Sequence, residues 1–292
     1  MIARTVLALT LAVAAVDPSA VAETEKFRAT HEADFRRDFV TLAGLFSLKD
    51  GGNTIGSAIS SDILLPKPAP ERVGRLIVSA DRVRFEPAPH VAVTIDDKAI
   101  TEPVDLKSDE HGPADQLAVG GVTLWVHMSG DRRTVRMRDV NGVPAKTFEG
   151  FHWFPIDQKY RVTGRFIRDA APRVIRSPNQ LGDEETFTTE GIVEFTLDGH
   201  KVTLRPMMNK GRLWFIFRDG TSGKETYETA RFLYGDLKPD GTVVVDFNQA
   251  YNPPCSFSPY TTCPLPLKEN RMTVRILAGE KAYPHPPSHT SQ

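Results

Sequence analysis

The chain has 292 residues, with 36 lysines and arginines against 37 aspartates and glutamates, for a net charge of −1. The charges are interspersed, so there is no one-signed field of the kind that draws nucleic acid or anionic lipid. A hydrophobic content of 40% supports a real core and excludes a disordered chain; two ordinary domains, or one large β domain, are expected.

The first residues read as an export signal. Arg4 supplies a positive start, Val6 to Val16 is apolar, and Ala20-Val21-Ala22 offers a small-residue cleavage site before Glu23. The apolar run falls short of the roughly 20 residues a membrane helix needs. No cysteine follows it to carry a lipid, and no later segment is apolar enough to span a bilayer. The expectation is a chain processed after residue 22 and exported, to the periplasm or beyond. Losing Arg4 and Asp17 leaves the charge balance unchanged.

Residues 23–48 carry a helical pattern. Phe27, Phe35, Phe39, Leu42 and Phe46 recur near three- and four-residue spacing among Glu, Arg and Asp, until Asp50-Gly51-Gly52-Asn53 stops them. From there the punctuation is β-like. Strands are predicted at Asn53–Gly56, Gly74–Ser79, Val83–Pro87, Val91–Ile95, Gln116–Val119, Thr123–Ser129 and Thr134–Asp139, a spacing typical of a β-sandwich. Asn141-Gly142-Val143-Pro144 breaks the chain. Beyond it, "GIVEFTLDGHKVTLRPM" predicts a hairpin across Asp198-Gly199, "GRLWFIFRD" a buried strand, and "KETYETARFLYGD" and "GTVVVDFNQAY" two more. "RMTVRILAGEKAY" closes the fold, and the tail "PHPPSHTSQ" (285–292 in its flexible part) frays.

The stretch "DFNQAYNPPCSFSPYTTCPLPLKEN" is too rich in proline for helix or strand, and it holds the two cysteines, Cys255 and Cys263. In an oxidising compartment this close pair is expected to form a disulfide, stabilising by roughly 2–3 kcal/mol. Its C-x7-C spacing is neither a redox motif nor a zinc knuckle.

"FHWFPIDQKYRV", "FIFRDGTSGKETYETARFLYGDL", "DFNQAYNPPCSFSPYTTCPLPLKENR" and "AGEKAY", in that order, resemble the bacterial family catalogued as domain of unknown function 1684, over about Phe35 to Tyr283. That family has no established activity, so the resemblance implies kinship without chemistry. "NTIGS", "SDILL", "VTIDDKAI" and "LAVGGVTLWV" resemble, in order, the forkhead-associated β-sandwich. Those domains read phosphothreonine through an arginine after the glycine and a downstream serine and histidine. Here Ser57 follows Gly56 and "ERVGRLIV" replaces the serine–histidine element, so phosphopeptide binding is not expected. The whole chain then reads as all-β with one N-terminal helix: signal 1–22, helix 23–48, forkhead-associated-like sandwich 49–140, second β domain 141–284.

Local catalytic motifs are missing. "GTSGKET" departs from a phosphate loop, since Arg218 holds the first glycine's place and Glu225 follows Lys224; it is read as a turn. The histidines form neither H-x-H nor H-E-x-x-H, so neither metal nor cofactor is expected; His152, between Phe151 and Trp153, is the one histidine of note. A distributed polar group remains. Alternation puts Asp246 with Asn248 on one face of a strand, and Tyr227 and Thr229 with Arg231 on another. Arg231 suits a carboxylate or phosphate. If the strands are neighbours, Arg231 faces Asp246, and the proline loop delivers Tyr251, Asn252, Asn270, Glu280 and Lys281. Three readings follow: a pocket for a small polar or anionic molecule walled by the loop, a hydrolase using Asp246 or Glu280 with Tyr251 or Lys281, or a sealed network in a structural envelope protein.

Overall fold

A computed structural model describes residues 17–179, 182 and 184–284. Most of the expected signal, and the tail 285–292, lie outside them. Helix α1 spans Pro18–Asp38: Asp17 caps it by accepting from Ser19 N, proline takes its first position, and Arg36 and Arg37 suit its negative end. The helix stops ten residues short of the expected Leu48. Leu42–Ser47 is strand β1 instead, with buried and half-buried residues alternating. The apolar residues that fit a helical spacing there also fit a strand, and pairing with a long neighbour decides between the two.

That neighbour belongs to a sandwich. Its further strands are β2 (Gly51–Gly56), β3 (Ile63–Leu64), β4 (Gly74–Ser79), β5 (Arg82–Pro87), β6 (Thr94–Ile95), β7 (Lys98–Ala99), β8 (Val104–Leu106), β9 (Leu117–Val119), β10 (Val122–Ser129) and β11 (Arg132–Asp139). One sheet runs β3-β2-β4-β5-β8 and the other β1-β11-β10-β9-β6-β7. Ile55, Leu76 and Phe85 from the first meet Leu117, Leu124 and Val135 from the second in one core.

A short helix α2 (Val143–Thr147) leads to a seven-stranded sheet. Its strands are β12 (Arg161–Pro178), β13 (Glu184–Leu197), β14 (His200–Leu204), β15 (Met207–Asn209), β16 (Arg212–Phe217), β17 (Arg231–Leu237) and β18 (Thr242–Asp246), in the order β14-β13-β12-β18-β17-β16-β15. Asp198 and Gly199 turn the β13–β14 hairpin with φ of 51° and 77°, as their type predicts. The chain is thus all-β with one long helix.

Both faces of this sheet are covered by irregular chain. Phe195, Phe215, Val243 and Phe247 pack on one side with Ile276 and Ala278 of the closing segment. That segment forms no strand; it is tethered by Met272 N to Arg218 O at 2.8 Å and Gly220 N to Val274 O at 2.8 Å. On the other side Trp214, Ile216 and Phe232 pack against Cys255 and Cys263. The expected disulfide is corrected here: both cysteines are free thiols, buried side by side, with Cys255 N donating to Cys263 Sγ at 3.4 Å. The loop is anchored in other ways, by Leu265 N to Pro178 O at 3.0 Å and Ser177 Oγ to Leu265 O at 2.9 Å.

Candidate functional site

Arg231 is sealed, with no solvent exposure. Its Nη1 donates to Asp219 Oδ2 at 2.9 Å and to Ile276 O at 3.2 Å, and its Nη2 donates to Ala278 O. Burial pushes its pKa below the ordinary value; Asp219 pulls the other way without cancelling it. The carboxylate it meets is therefore Asp219, not Asp246. Strands β17 and β18 are neighbours, but they pair only at Asp236 with Val244 and Leu237 with Val243, and Phe232 then bridges Tyr251, so Arg231 does not stand opposite Asp246. Tyr227 and Thr229 do not share a strand face with Arg231, because β17 starts at Arg231 and turns precede it. Gly279, with φ of 80°, makes the seat possible: a Cβ there would stand 2.7 Å from Arg231 Nη2 and 2.4 Å from Ala250 O.

The remaining candidates fall into separate groups. Asp246 caps a 3-10 turn by accepting from Asn248 N at 3.0 Å and Asn248 Nδ2 at 2.9 Å, so these two do meet, through a turn and not through strand alternation. Arg161 Nη1 donates to Asp246 Oδ2 at 2.8 Å, and Thr24 Oγ1 of α1 at 3.3 Å. Glu280, fully buried, accepts from Asn252 N and Asn252 Nδ2, each at 2.9 Å. His31 Nε2 of α1 stands 3.6 Å from Glu280 Oε2, its ring among Phe151, Trp153 and Tyr251. Lys281 Nζ lies over the Phe154 ring at 5.0 Å. Burial pushes the Tyr251 phenol strongly upward, which makes it a poor base or nucleophile. Asn270 is elsewhere, accepting from Arg205 N at 2.8 Å and donating to Arg205 O and Ile216 O. These residues stitch the closing segment, the loop and α1 onto the sheet. Ser57 donates to Ala69 O at 2.7 Å.

Sequence reasoning passed over a cleft between α1 and Phe151–Trp153. Arg28, Ala29, Glu32, Ala33 and Arg36 line one wall, Phe151 and Trp153 the other, around about 410 Å³. The signal was the spacing of Arg28, Glu32 and Arg36, one turn apart on a single helix face. His152, noted for its aromatic neighbours, is exposed, while Trp153 beside it lines the cleft.

Charge within the cleft is unevenly balanced. Arg36 Nη2 pairs with Glu32 Oε1 at 2.9 Å and its guanidinium covers the Phe148 ring at 4.5 Å. Glu32 Oε2 accepts from Phe151 N at 3.1 Å. Arg28 has no ion-pair partner among the described residues. Its Nε and Nη2 donate to Asn248 O at 3.3 and 3.0 Å, and the group lies 4.8 Å over the Trp153 ring. Half-burial lowers its pKa, yet an arginine so placed stays protonated at neutral pH. Arg28 Nη1 is left to meet an anion, with an indole beside it for apolar contact. Among the described residues, no three metal-ligating side chains converge, and no helix is long and apolar enough to cross a membrane.

No curated protein matches the chain. It is similar to a solved structure, an uncharacterized protein from Haloarcula marismortui studied by solution NMR, at 27% identity over 47% of this chain and 79% of that one, with a TM-score of 0.39. Residues 146–281, which hold the seven-stranded sheet, the proline loop and most of the closing segment, match the model described as "Protein of unknown function (DUF1684)", which supports the resemblance to that family over this part of the chain.

Proposed function

We propose that the protein is a binding module for a small organic anion, held in the cleft between α1 and Phe151–Trp153. The observation that carries this reading is Arg28: a cation without a carboxylate partner, set over an indole, on the wall of a 410 Å³ cleft. The volume sits at the small end of ligand sites, which run from about 300 to 1,000 Å³. It suits a carboxylate or phosphate on a single-ring or short aliphatic body. The rigid network behind the cleft supports the reading, because Arg28 is aimed by Asn248 O and Asn248 is fixed by Asp246. The hydrolase reading has less support: Glu280 is engaged by Asn252, and Lys281 rests on Phe154. Export after residue 22 fits this role, since every cleft residue follows that point; N-terminal sequencing that found Met1 to Ala22 retained would contradict it.

The test is a thermal-shift panel of small organic anions, benzoate among them, on wild type and Arg28→Gln. At a hundredfold excess over its dissociation constant a ligand stabilises by about 2.7 kcal/mol. Saturable shifts in wild type that vanish in Arg28→Gln are expected. No shift across the panel, or equal shifts in both proteins, refutes the proposal.

A further inference from the structure

The N-terminal sandwich carries a second cationic group, remote in sequence from the cleft. In β10 and β11, Leu124, Val126, Val135 and Met137 enter the core, so Trp125, His127, Arg136 and Arg138 share the outer face. The register sets Trp125 opposite Arg136, with Arg138 two residues further along β11. The Arg138 guanidinium lies 5.3 Å over the Trp125 ring. His127 Nδ1 is fixed by Asp109 Oδ2 at 2.6 Å, and Asp109 Oδ1 accepts from Met128 N at 3.1 Å.

The side-chain nitrogens of this face are incompletely met. Arg136 Nε, Arg138 Nε and His127 Nε2 are all buried without a hydrogen-bond partner. Neither arginine has an ion-pair partner among the described residues. The more deeply buried arginines of this chain are paired: Arg205 meets Asp169 and Glu269, and Arg231 meets Asp219. A buried charged donor left unpaired is costly, so several on one face call for a partner. Asp109, the nearest acid to influence Arg136, is committed to His127 and Met128.

We propose that the outer face of β10 and β11 is an oxyanion site, in which Arg136 and Arg138 bind a phosphate group and Trp125 and His127 flank it. Two forked guanidinium groups without a neutralising carboxylate match a doubly charged, multi-oxygen anion better than a single carboxylate. The site is independent of the cleft beside α1, and either can hold without the other.

The test titrates the full chain with inorganic phosphate, followed by calorimetry and tryptophan fluorescence, with acetate as the singly charged comparison. Wild type should bind phosphate saturably and more tightly than acetate. Arg136→Gln and Arg138→Gln should each weaken phosphate binding by on the order of tenfold or more, about 1.4 kcal/mol, and should do so equally in an Arg28→Gln background, which removes the cation of the α1 cleft. If a glutamine variant does not fold, Arg138→Lys carries the test: it keeps the charge, loses the fork, and should still bind more weakly. Absence of saturable phosphate binding to wild type, acetate binding as tight as phosphate, or folded arginine variants that bind like wild type would overturn the proposal.

Discussion

Arg231→Met removes the most deeply buried charge in the seven-stranded sheet while keeping most of its volume. In the folded protein it leaves the Asp219 carboxylate with only Thr221 N and Thr221 Oγ1 as donors, and takes from Ile276 O and Ala278 O the guanidinium that held them. Breaking one side of a buried pair costs about 3–5 kcal/mol, because the remaining charge cannot reach water. For a unit of this size each kcal/mol lowers Tm by about 2–4 °C, so the loss should be roughly 6–20 °C. Asp219→Asn in the same chain removes the stranded charge but keeps an acceptor for Thr221, and should recover part of that loss. A double-mutant cycle, followed by calorimetry and urea unfolding, should therefore show a coupling of about 1–3 kcal/mol. A single-variant loss below about 1 kcal/mol, or strict additivity, would refute the sealed-pair reasoning.

Gly279→Ala should destabilise by at least about 1–2 kcal/mol from its left-handed backbone alone, and by more through the clash with Ala250 O and Arg231; a melting curve matching wild type would contradict this. Asn270→Ala leaves Arg205 N, Arg205 O and Ile216 O without partners in a buried position, and should lower stability by about 2 kcal/mol or more in urea unfolding. Asp62 is held well below the usual carboxylate range, first by Lys49 and then by Thr54. A folded pKa depressed in this way contributes stability above the unfolded value of about 3.9, and that stability is lost as pH falls through the folded value. Asp62→Asn should therefore flatten the acid limb of Tm against pH between about 5 and 2, and an unchanged slope would count against it.

The parts of this fold legible in sequence are those set by local chemistry. Alternation located β4, β5, β10 and β11 closely, Asp198-Gly199 gave the hairpin, and the prolines of 253–266 marked a rigid wall over the sheet. The misses have a common cause, which is that partners distant in sequence decided them. Leu42–Ser47 fits a helix until β11 is available to pair with it. The 18 residues of β12 went unrecognised because Gly164, Pro172 and scattered arginines break the alternation, whereas β13 and β18 supply the pairing. Arg231 was read against Asp246 because strand adjacency was guessed without register, and Asp219 sits in a turn that carries no periodicity. Of the α1 cleft only the helix wall, Arg28, Glu32 and Arg36, was legible, since Arg28 faces Trp153 only once Thr24 and Arg28 have tied the helix to the turn at Asp246–Asn248.

The central claim, that Arg28 and Trp153 form an anion-binding cleft, is tested most directly by a crystal of the wild-type protein soaked in 4-bromobenzoate. Anomalous scattering should place the bromine in the cleft, with the carboxylate within hydrogen-bond distance of Arg28 and the ring along Trp153. A well-diffracting soaked crystal with an empty cleft, or with the carboxylate turned away from Arg28, would contradict the account.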